Sequence, residues 1–226
     1  MPKFAGLTAL LVAVALLVLV AGCGKKNSET TFPGQSASTA VGGSTQGSPE
    51  DELRGALENF ARQKSFRAKL SADAGATGKL EAQLEYAEPD RLHVTLTKAP
   101  IPFNGIEAIA VDQELYLKTA GRWSKQGTGT GIANGLGGLT FEPSTVTSGF
   151  EMLDPTTTIT RGNTETVNGK RCQNYVIKDS TQPDSTVNVC IADNLPQKLT
   201  IVSTEANATV TFSDFNANIN IQKPTV

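Results

Sequence analysis

The chain has 226 residues, with 20 lysines and arginines against 22 aspartates and glutamates, and a single histidine. The charge is nearly balanced and the sequence contains neither an arginine cluster nor a basic patch, so its composition does not indicate nucleic-acid binding. One histidine also excludes a metal site built from several histidines.

The first 22 residues have the layout of a secretory signal peptide. Lys3 gives a basic start, residues 4–22 form an apolar block, and small residues end it. The last positions, Val20-Ala21-Gly22-Cys23, match the lipobox of bacterial lipoproteins. We predict that residues 1–22 are removed and that Cys23, the first mature residue, carries diacylglycerol and fatty acyl groups such as palmitate. The alternative is a retained N-terminal anchor helix, and both interpretations tether the chain to the extracytoplasmic side of a bacterial membrane.

Residues 23–47 form the next predicted unit, a lipidated flexible tether. Serine, threonine, glycine and glutamine dominate this segment, which cannot bury enough apolar surface to offset the entropy of ordering it. Residues 48–226 are long enough for one domain with a sizeable core.

That domain opens with a predicted helix from about Pro49 to Gln63. Ser48 can cap it, proline suits its first turn, and the acidic residues that follow complement the helix dipole. Leu53, Leu57 and Phe60 fall on one apolar stripe, which we expect to pack on a sheet.

Alternating apolar and polar residues then predict some nine to eleven antiparallel strands. The segments are SFRAKLSADA, GKLEAQLEYA, DRLHVTLTK, GIEAIAV, ELYLKTAGRW, TTTITRGNTETV, KRCQNYVIKD, STVNVCIAD, QKLTIVS and NATVTFSDFN. Asn168-Gly169 is the strongest short hairpin signal among them. A hairpin centred near residue 181 would place Cys172 opposite Cys190, and we predict that these two cysteines form a disulfide in the oxidising exported compartment.

The segment KQGTGTGIANGLGGLTFEPSTVTSGFEMLDP interrupts this strand pattern. A phosphate-binding loop would need a lysine and a serine or threonine after its last glycine, whereas Leu139 follows Gly138, so we reject nucleotide binding. Two interpretations stay open: a surface loop, or an apolar lid over a cavity. The lid residues would be Ile132, Leu136, Leu139 and Phe141.

No arrangement in the sequence requires an enzyme. His93 alternates with Leu92 and Val94, which places it on the polar face of a strand, and no G-x-S-x-G nucleophile motif is present. Glu85, Glu88 and Asp90 are interpreted as acidic residues around a turn. We therefore expect no catalytic residue, no cofactor and no metal site.

The order of the segments YAEPDRLHV, ELYLKTAGRWSK, VNGKRCQNYVI, VCIADNLPQKLTI and VTFSDFNANINIQKP resembles the LolA/LolB-like superfamily of lipoprotein and lipid carriers. Within it, the chain is most similar to the LppX/LprA/LprF/LprG-type lipoproteins of mycobacteria. The resemblance covers roughly Pro49 to Pro224. It implies an α+β fold, in which a strongly curved antiparallel half-barrel, an N-terminal helix and an inserted loop or helix enclose an apolar cavity for acyl chains.

The candidate lining residues of that cavity are apolar positions of the helix stripe and of the alternating strands. Ordinary core packing is the alternative role for each of them. They are Leu53, Leu57, Phe60, Leu84, Leu92, Val94, Leu96, Ile109, Leu115 and Leu117.

The sequence thus leads to two functional hypotheses. The first is a membrane-anchored lipoprotein that binds, and transports or presents, the acyl chains of lipids, glycolipids or lipoproteins. The second is an envelope sensor or scaffold on the same fold that binds a protein partner, which the sequence does not identify.

Overall fold

The computed structural model describes residues 47–73, 75, 78–100, 105–128, 157–204 and 206–226. The predicted signal peptide, Cys23, nearly all of the predicted tether and the four candidate lid residues lie outside these ranges. The described elements are α1 (Pro49–Ala61), β1 (Ser65–Asp73), β2 (Lys79–Ala87), β3 (Arg91–Lys98), β4 (Glu107–Val111), β5 (Glu114–Thr119), β6 (Arg122–Thr128), β7 (Thr157–Val167), β8 (Lys170–Asp179), β9 (Ser185–Ala192), β10 (Leu195–Ser203) and β11 (Asn207–Ser213).

Helix α1 begins where its capping signals predict. The side chain of Ser48 accepts a hydrogen bond from the backbone N–H of Asp51 at 3.1 Å, and proline occupies the first turn. The helix ends at Ala61, two residues before the predicted end, because the backbone N–H of Arg62 donates to the carbonyl of Asn59 in a tighter turn. No helix in the described ranges has the length and apolar character needed to cross a membrane.

The strands form one antiparallel sheet in the order β6-β5-β4-β3-β2-β1-β11-β10-β9-β8-β7. Consecutive strands are neighbours except for β6 and β7, and the pairing of β1 with β11 joins the two halves. Among the described residues β6 and β7 each pair with a single strand, so the sheet is open there. The predicted α+β fold, with one N-terminal helix and an open antiparallel sheet, is confirmed.

The inner face of the sheet, defined here as the side that contacts α1, carries the main core. Leu53, Leu57 and Phe60 of the helix pack with the inward residues of the strands, and all three are at most 3% exposed. Every second residue of a strand points to the same face, so the alternation seen in the sequence corresponds to this burial.

A second, smaller core lies on the outer face. The C-terminal segment after β11 lies against this face without forming a strand, and its Ile219 and Ile221 are buried with Ile109, Val111 and Tyr116. The prediction that Ile109 lines an inner cavity is therefore wrong. Its neighbours on β4 point inwards instead, and the C-terminal segment supplies the cover that buries Ile109 on the opposite side.

Cys172 and Cys190 lie at disulfide distance, with their Cα atoms 5.5 Å apart, as predicted. They are not directly opposite each other, however, since Asn174 pairs with Cys190. Two successive turns between Asp179 and Ser185 shift the register by two residues relative to the prediction. The cysteines therefore face each other diagonally across β8 and β9, where they are buried beside Val167.

Candidate functional site

An apolar cavity lies on the inner face where β1, β2, β3 and β11 adjoin. Its volume is about 20 Å³, which is space for roughly one water molecule. Its walls consist entirely of alanine, leucine and valine side chains. The lining residues are Ala68, Leu70, Leu80, Ala82, Leu84, Val94, Leu96 and Val210.

The cavity arises from the way small and large side chains are paired across the strands. Leu70 lies opposite Ala82, and Ala68 lies opposite Leu84, so each leucine of the β1–β2 pair faces a methyl group. An alanine fills far less of the inner face than a leucine would. The alanines therefore set the width of the cavity.

Aromatic side chains pack together where the C-terminal half of α1 meets β1 and β11. The ring of Phe60 lies 5.2 Å from Phe66 and 5.1 Å from Phe212, centroid to centroid. Phe66 in turn lies 5.2 Å from Tyr86. Such tilted, edge-on and stacked contacts add to the stabilisation from burial alone. Because Phe212 pairs with the cavity-lining Ala68, this aromatic cluster borders the cavity on the side of the helix.

Three of the ten predicted lining residues, Leu84, Val94 and Leu96, line the cavity. Six others belong to the surrounding core or pack against it: Leu53, Leu57, Phe60, Leu92, Leu115 and Leu117. Ile109 is the tenth and faces the outer side. Sequence reasoning missed Ala68, Leu70, Leu80, Ala82 and Val210, although the alternation in SFRAKLSADA and GKLEAQLEYA places the first four on one face.

A polar contact joins the first turn of α1 to the sheet. Glu52 accepts a hydrogen bond from the phenol of Tyr175 and lies 2.9 Å from the guanidinium of Arg161. The hydrogen bond from Tyr175 holds the pKa of Glu52 below its usual value. Burial, followed by the hydrogen bond to Glu52, raises the pKa of Tyr175 to about 12. The helix is thus held to β7 and β8 by a charged contact at its start, and to β1 and β11 by aromatic packing at its other end.

The outer face carries a row of charged side chains across β1 to β5. Arg67 lies 2.8 Å from Glu85, and Lys118 lies 2.7 Å from Glu107. Between the two carboxylates lies His93, with one ring nitrogen 3.3 Å from Glu85 and the other 2.9 Å from Glu107. The prediction that His93 occupies the polar face of its strand is therefore correct. The interpretation of Glu85 as a turn residue is wrong, because it lies within β2 and bridges two neighbouring strands.

Glu165 lies close to the two cysteine sulfurs, which makes this the one group of potential metal ligands within the described residues. The sulfurs are bonded to each other and do not offer free thiolates. Glu165 also forms an ion pair with Lys198. The contacts of this group are accounted for by the disulfide and the ion pair.

No protein-family profile and no curated protein sequence matches the chain. Solved structures do resemble it. The Mycobacterium tuberculosis lipoprotein LppX aligns over 77% of this chain and 98% of its own, with 14% identity and a TM-score of 0.54. LprF from Mycobacterium bovis aligns over 79% of this chain and 97% of its own, with 11% identity and a TM-score of 0.60. The chain therefore has the LppX-like fold that the sequence resemblance implies.

Proposed function

We propose that this chain is a membrane-anchored extracytoplasmic lipoprotein that binds acyl chains on the inner face of its sheet and does not act as an enzyme. The observation that carries the proposal is the cavity itself, whose lining offers a ligand only aliphatic carbon. Such a lining suits a hydrocarbon chain and leaves a polar headgroup without a partner. The similarity to the lipoprotein LppX supports the same interpretation.

Each methylene transferred from water to the inner face would contribute about 0.8 kcal/mol, so a long chain could bind without a charged partner. The enclosed volume of about 20 Å³ is far too small for such a chain. Binding therefore requires the inner face to separate from the groups that cover it. The alanines at positions 68 and 82 are where a bound chain would gain the most space.

A pair of substitutions on β2 tests this proposal. Ala82→Leu adds bulk to the cavity wall, whereas Gln83→Leu adds the same side chain to the exposed outer side one residue away. We expect Ala82→Leu to weaken binding of a fluorescent long-chain fatty acid at least tenfold and Gln83→Leu to leave it unchanged. Equal binding by both variants and the unsubstituted chain would contradict the proposal.

The proposed anchor is tested separately. Cys23→Ala removes the thiol that would carry the lipid and should leave a precursor that is neither cut nor acylated. Mass spectrometry of the membrane fraction reports both changes. Normal processing of the Cys23→Ala chain would contradict the proposed lipobox and its anchor.

A second candidate function is that of an envelope sensor or scaffold that binds a protein partner. The small volume of the cavity favours this alternative, because a filled inner face leaves no room for cargo. If the fluorescent fatty acid and unlabelled phospholipids all fail to bind, this alternative replaces the carrier function.

A further inference from the structure

Both ring nitrogens of His93 face carboxylate oxygens. Nδ1 lies 3.3 Å from Glu85 Oε2, and Nε2 lies 2.9 Å from Glu107 Oε1. A neutral imidazole has a single N–H and can donate to one of these carboxylates while its other nitrogen directs a lone pair at the second. Only the doubly protonated ring can donate to both at once.

The neighbouring charges reinforce this arrangement. Arg67 donates to the other oxygen of Glu85, and Lys118 donates to the other oxygen of Glu107. These hydrogen bonds are the main reason why the pKa of each glutamate is held below its usual value, so both carboxylates stay charged near neutral pH. Asp214 extends the row beyond Arg67 at 3.3 Å.

The signs of the charges along this row alternate without a break only when His93 is charged. The order across the sheet is Asp214, Arg67, Glu85, His93, Glu107 and Lys118. When His93 is neutral, two carboxylates flank an uncharged ring.

The residue directly opposite His93 on β4 is Ile109, which is covered by the C-terminal segment. The C-terminal segment also carries Lys223, which forms ion pairs with Asp112 and Glu114. These three charged groups therefore pair with one another.

The same three strands form part of the cavity wall on their inner side. Leu84 precedes Glu85, Val94 follows His93, and both line the cavity. Ala108, which follows Glu107, is buried in the core of the inner face. The contact Glu85–His93–Glu107 thus spans β2, β3 and β4 on the outer side directly behind the candidate binding site.

We propose that His93 is a proton-sensitive bridge that holds β2, β3 and β4 together when it is doubly protonated and releases one of its two contacts when it loses a proton. A further effect rests on the proposed function. When His93 loses its proton, the contact between the three strands weakens, the cavity wall loosens and a bound acyl chain binds less tightly. An imidazole changes its charge between about pH 5 and 8. His93 is the only histidine in the chain, so no other imidazole contributes to a transition in this range.

The test compares the full chain with its His93→Gln variant at pH 5.5 and pH 8. The glutamine amide can still donate a hydrogen bond but cannot gain a charge. We expect the folding equilibrium constant of the unsubstituted chain, divided by that of the variant, to fall roughly tenfold from pH 5.5 to pH 8. A tenfold change is about the contribution of one hydrogen bond to stability. Parallel pH dependences of the two chains would overturn the proposal.

A second measurement does not require His93→Gln to fold. The nitrogen NMR signals of the single imidazole, followed from pH 5.5 to pH 8, should keep their doubly protonated form to a higher pH in the unsubstituted chain than in Glu107→Gln. A ring that is unaffected by Glu107→Gln would also overturn the proposal.

Binding of the fluorescent fatty acid separates the two claims. We expect its dissociation constant to rise severalfold from pH 5.5 to pH 8 for the unsubstituted chain and to stay constant for His93→Gln. Binding that is equally strong at both pH values in the unsubstituted chain overturns the link to the cavity. Absence of binding at either pH contradicts the proposed function, while the folding and NMR measurements still decide whether His93 forms the proton-sensitive bridge.

Discussion

The phenol of Tyr175 donates a hydrogen bond to Glu52 and thereby joins the middle of β8 to the first turn of α1. Arg161 of the adjoining strand contacts the same carboxylate at 2.9 Å. The start of the helix is therefore fixed to the sheet by a polar contact next to the core. This contact lies at the open edge of the sheet, where β7 has one described neighbour.

Tyr175→Phe should reduce the free energy of unfolding by about 2 kcal/mol, because a hydrogen bond to a charged carboxylate is lost and Glu52 keeps only Arg161. Tyr116→Phe is the matched control. Its phenol also donates to a glutamate, Glu114, but that carboxylate retains contacts with both Lys125 and Lys223. We expect the control to cost less than about 1 kcal/mol, measured by urea denaturation. A larger loss of unfolding free energy for Tyr116→Phe than for Tyr175→Phe would contradict this prediction.

Alkaline pH should destabilise the fold through the same contact. The pKa of Tyr175 is raised to about 12 by burial and by Glu52, whereas a tyrosine in the unfolded chain ionises near pH 10. The folded state favours the neutral phenol, so the stability it provides is present below pH 10 and is lost as the pH rises from about 10 to about 12. The hydrogen bond to Glu114 also raises the pKa of Tyr116, so absorbance titration should show tyrosine ionisation that extends well above that of a free tyrosine. The part of this ionisation near pH 12 should be lost in Tyr175→Phe. A titration complete near pH 10 in the folded chain would contradict this assignment.

Loss of the disulfide should also weaken the fold. The bond between Cys172 and Cys190 closes a loop with a sequence separation of 18 residues, and removing such a bond typically costs about 3 kcal/mol. We expect a reductant to lower the urea midpoint of the unsubstituted chain to that of the Cys172→Ala/Cys190→Ala variant. The reductant should have no effect on the variant. Identical midpoints with and without reductant would show that the bond contributes nothing to stability.

The C-terminal segment should contribute to stability through its buried isoleucines. Ile221 is 5% exposed, and Ile221→Ala should cost about 2 kcal/mol, since it removes side-chain volume from the outer core. Val226 is 73% exposed, and Val226→Ala should change the free energy of unfolding by less than about 0.5 kcal/mol. Thermal unfolding measures both. Equal values for the two variants would mean that the segment does not seal the outer face.

Local signals in the sequence predicted much of the fold. Ser48 and the residues after it carry their own helix-start chemistry, and Asn168-Gly169 forms the tight turn between β7 and β8. Both features depend on neighbours along the chain. This is why they could be predicted without knowledge of the tertiary structure.

The errors in the predicted orientation of Ile109 and in the predicted cavity lining arise from contacts between segments that are distant in the sequence. Alternation in GIEAIAV shows that Ile109 and its neighbour Ala108 face opposite sides, but it does not show which side is covered. The answer depends on Ile219 and Ile221, which lie more than a hundred residues further on. The cavity was only partly predicted for a related reason: attention to large apolar residues overlooked Ala68 and Ala82, whose small size creates the space.

The most direct test of the account is to measure non-covalent lipid in the full chain purified from an exporting host. Organic solvent releases bound lipid, whereas an anchor on Cys23 stays attached to the protein, so mass spectrometry can count the two separately. We predict a defined amount of released acyl lipid per chain, a clear reduction in Ala82→Leu and no reduction in Gln83→Leu. A chain that releases no lipid, and that stays free of it after incubation with phospholipids and glycolipids, would contradict the proposed carrier function.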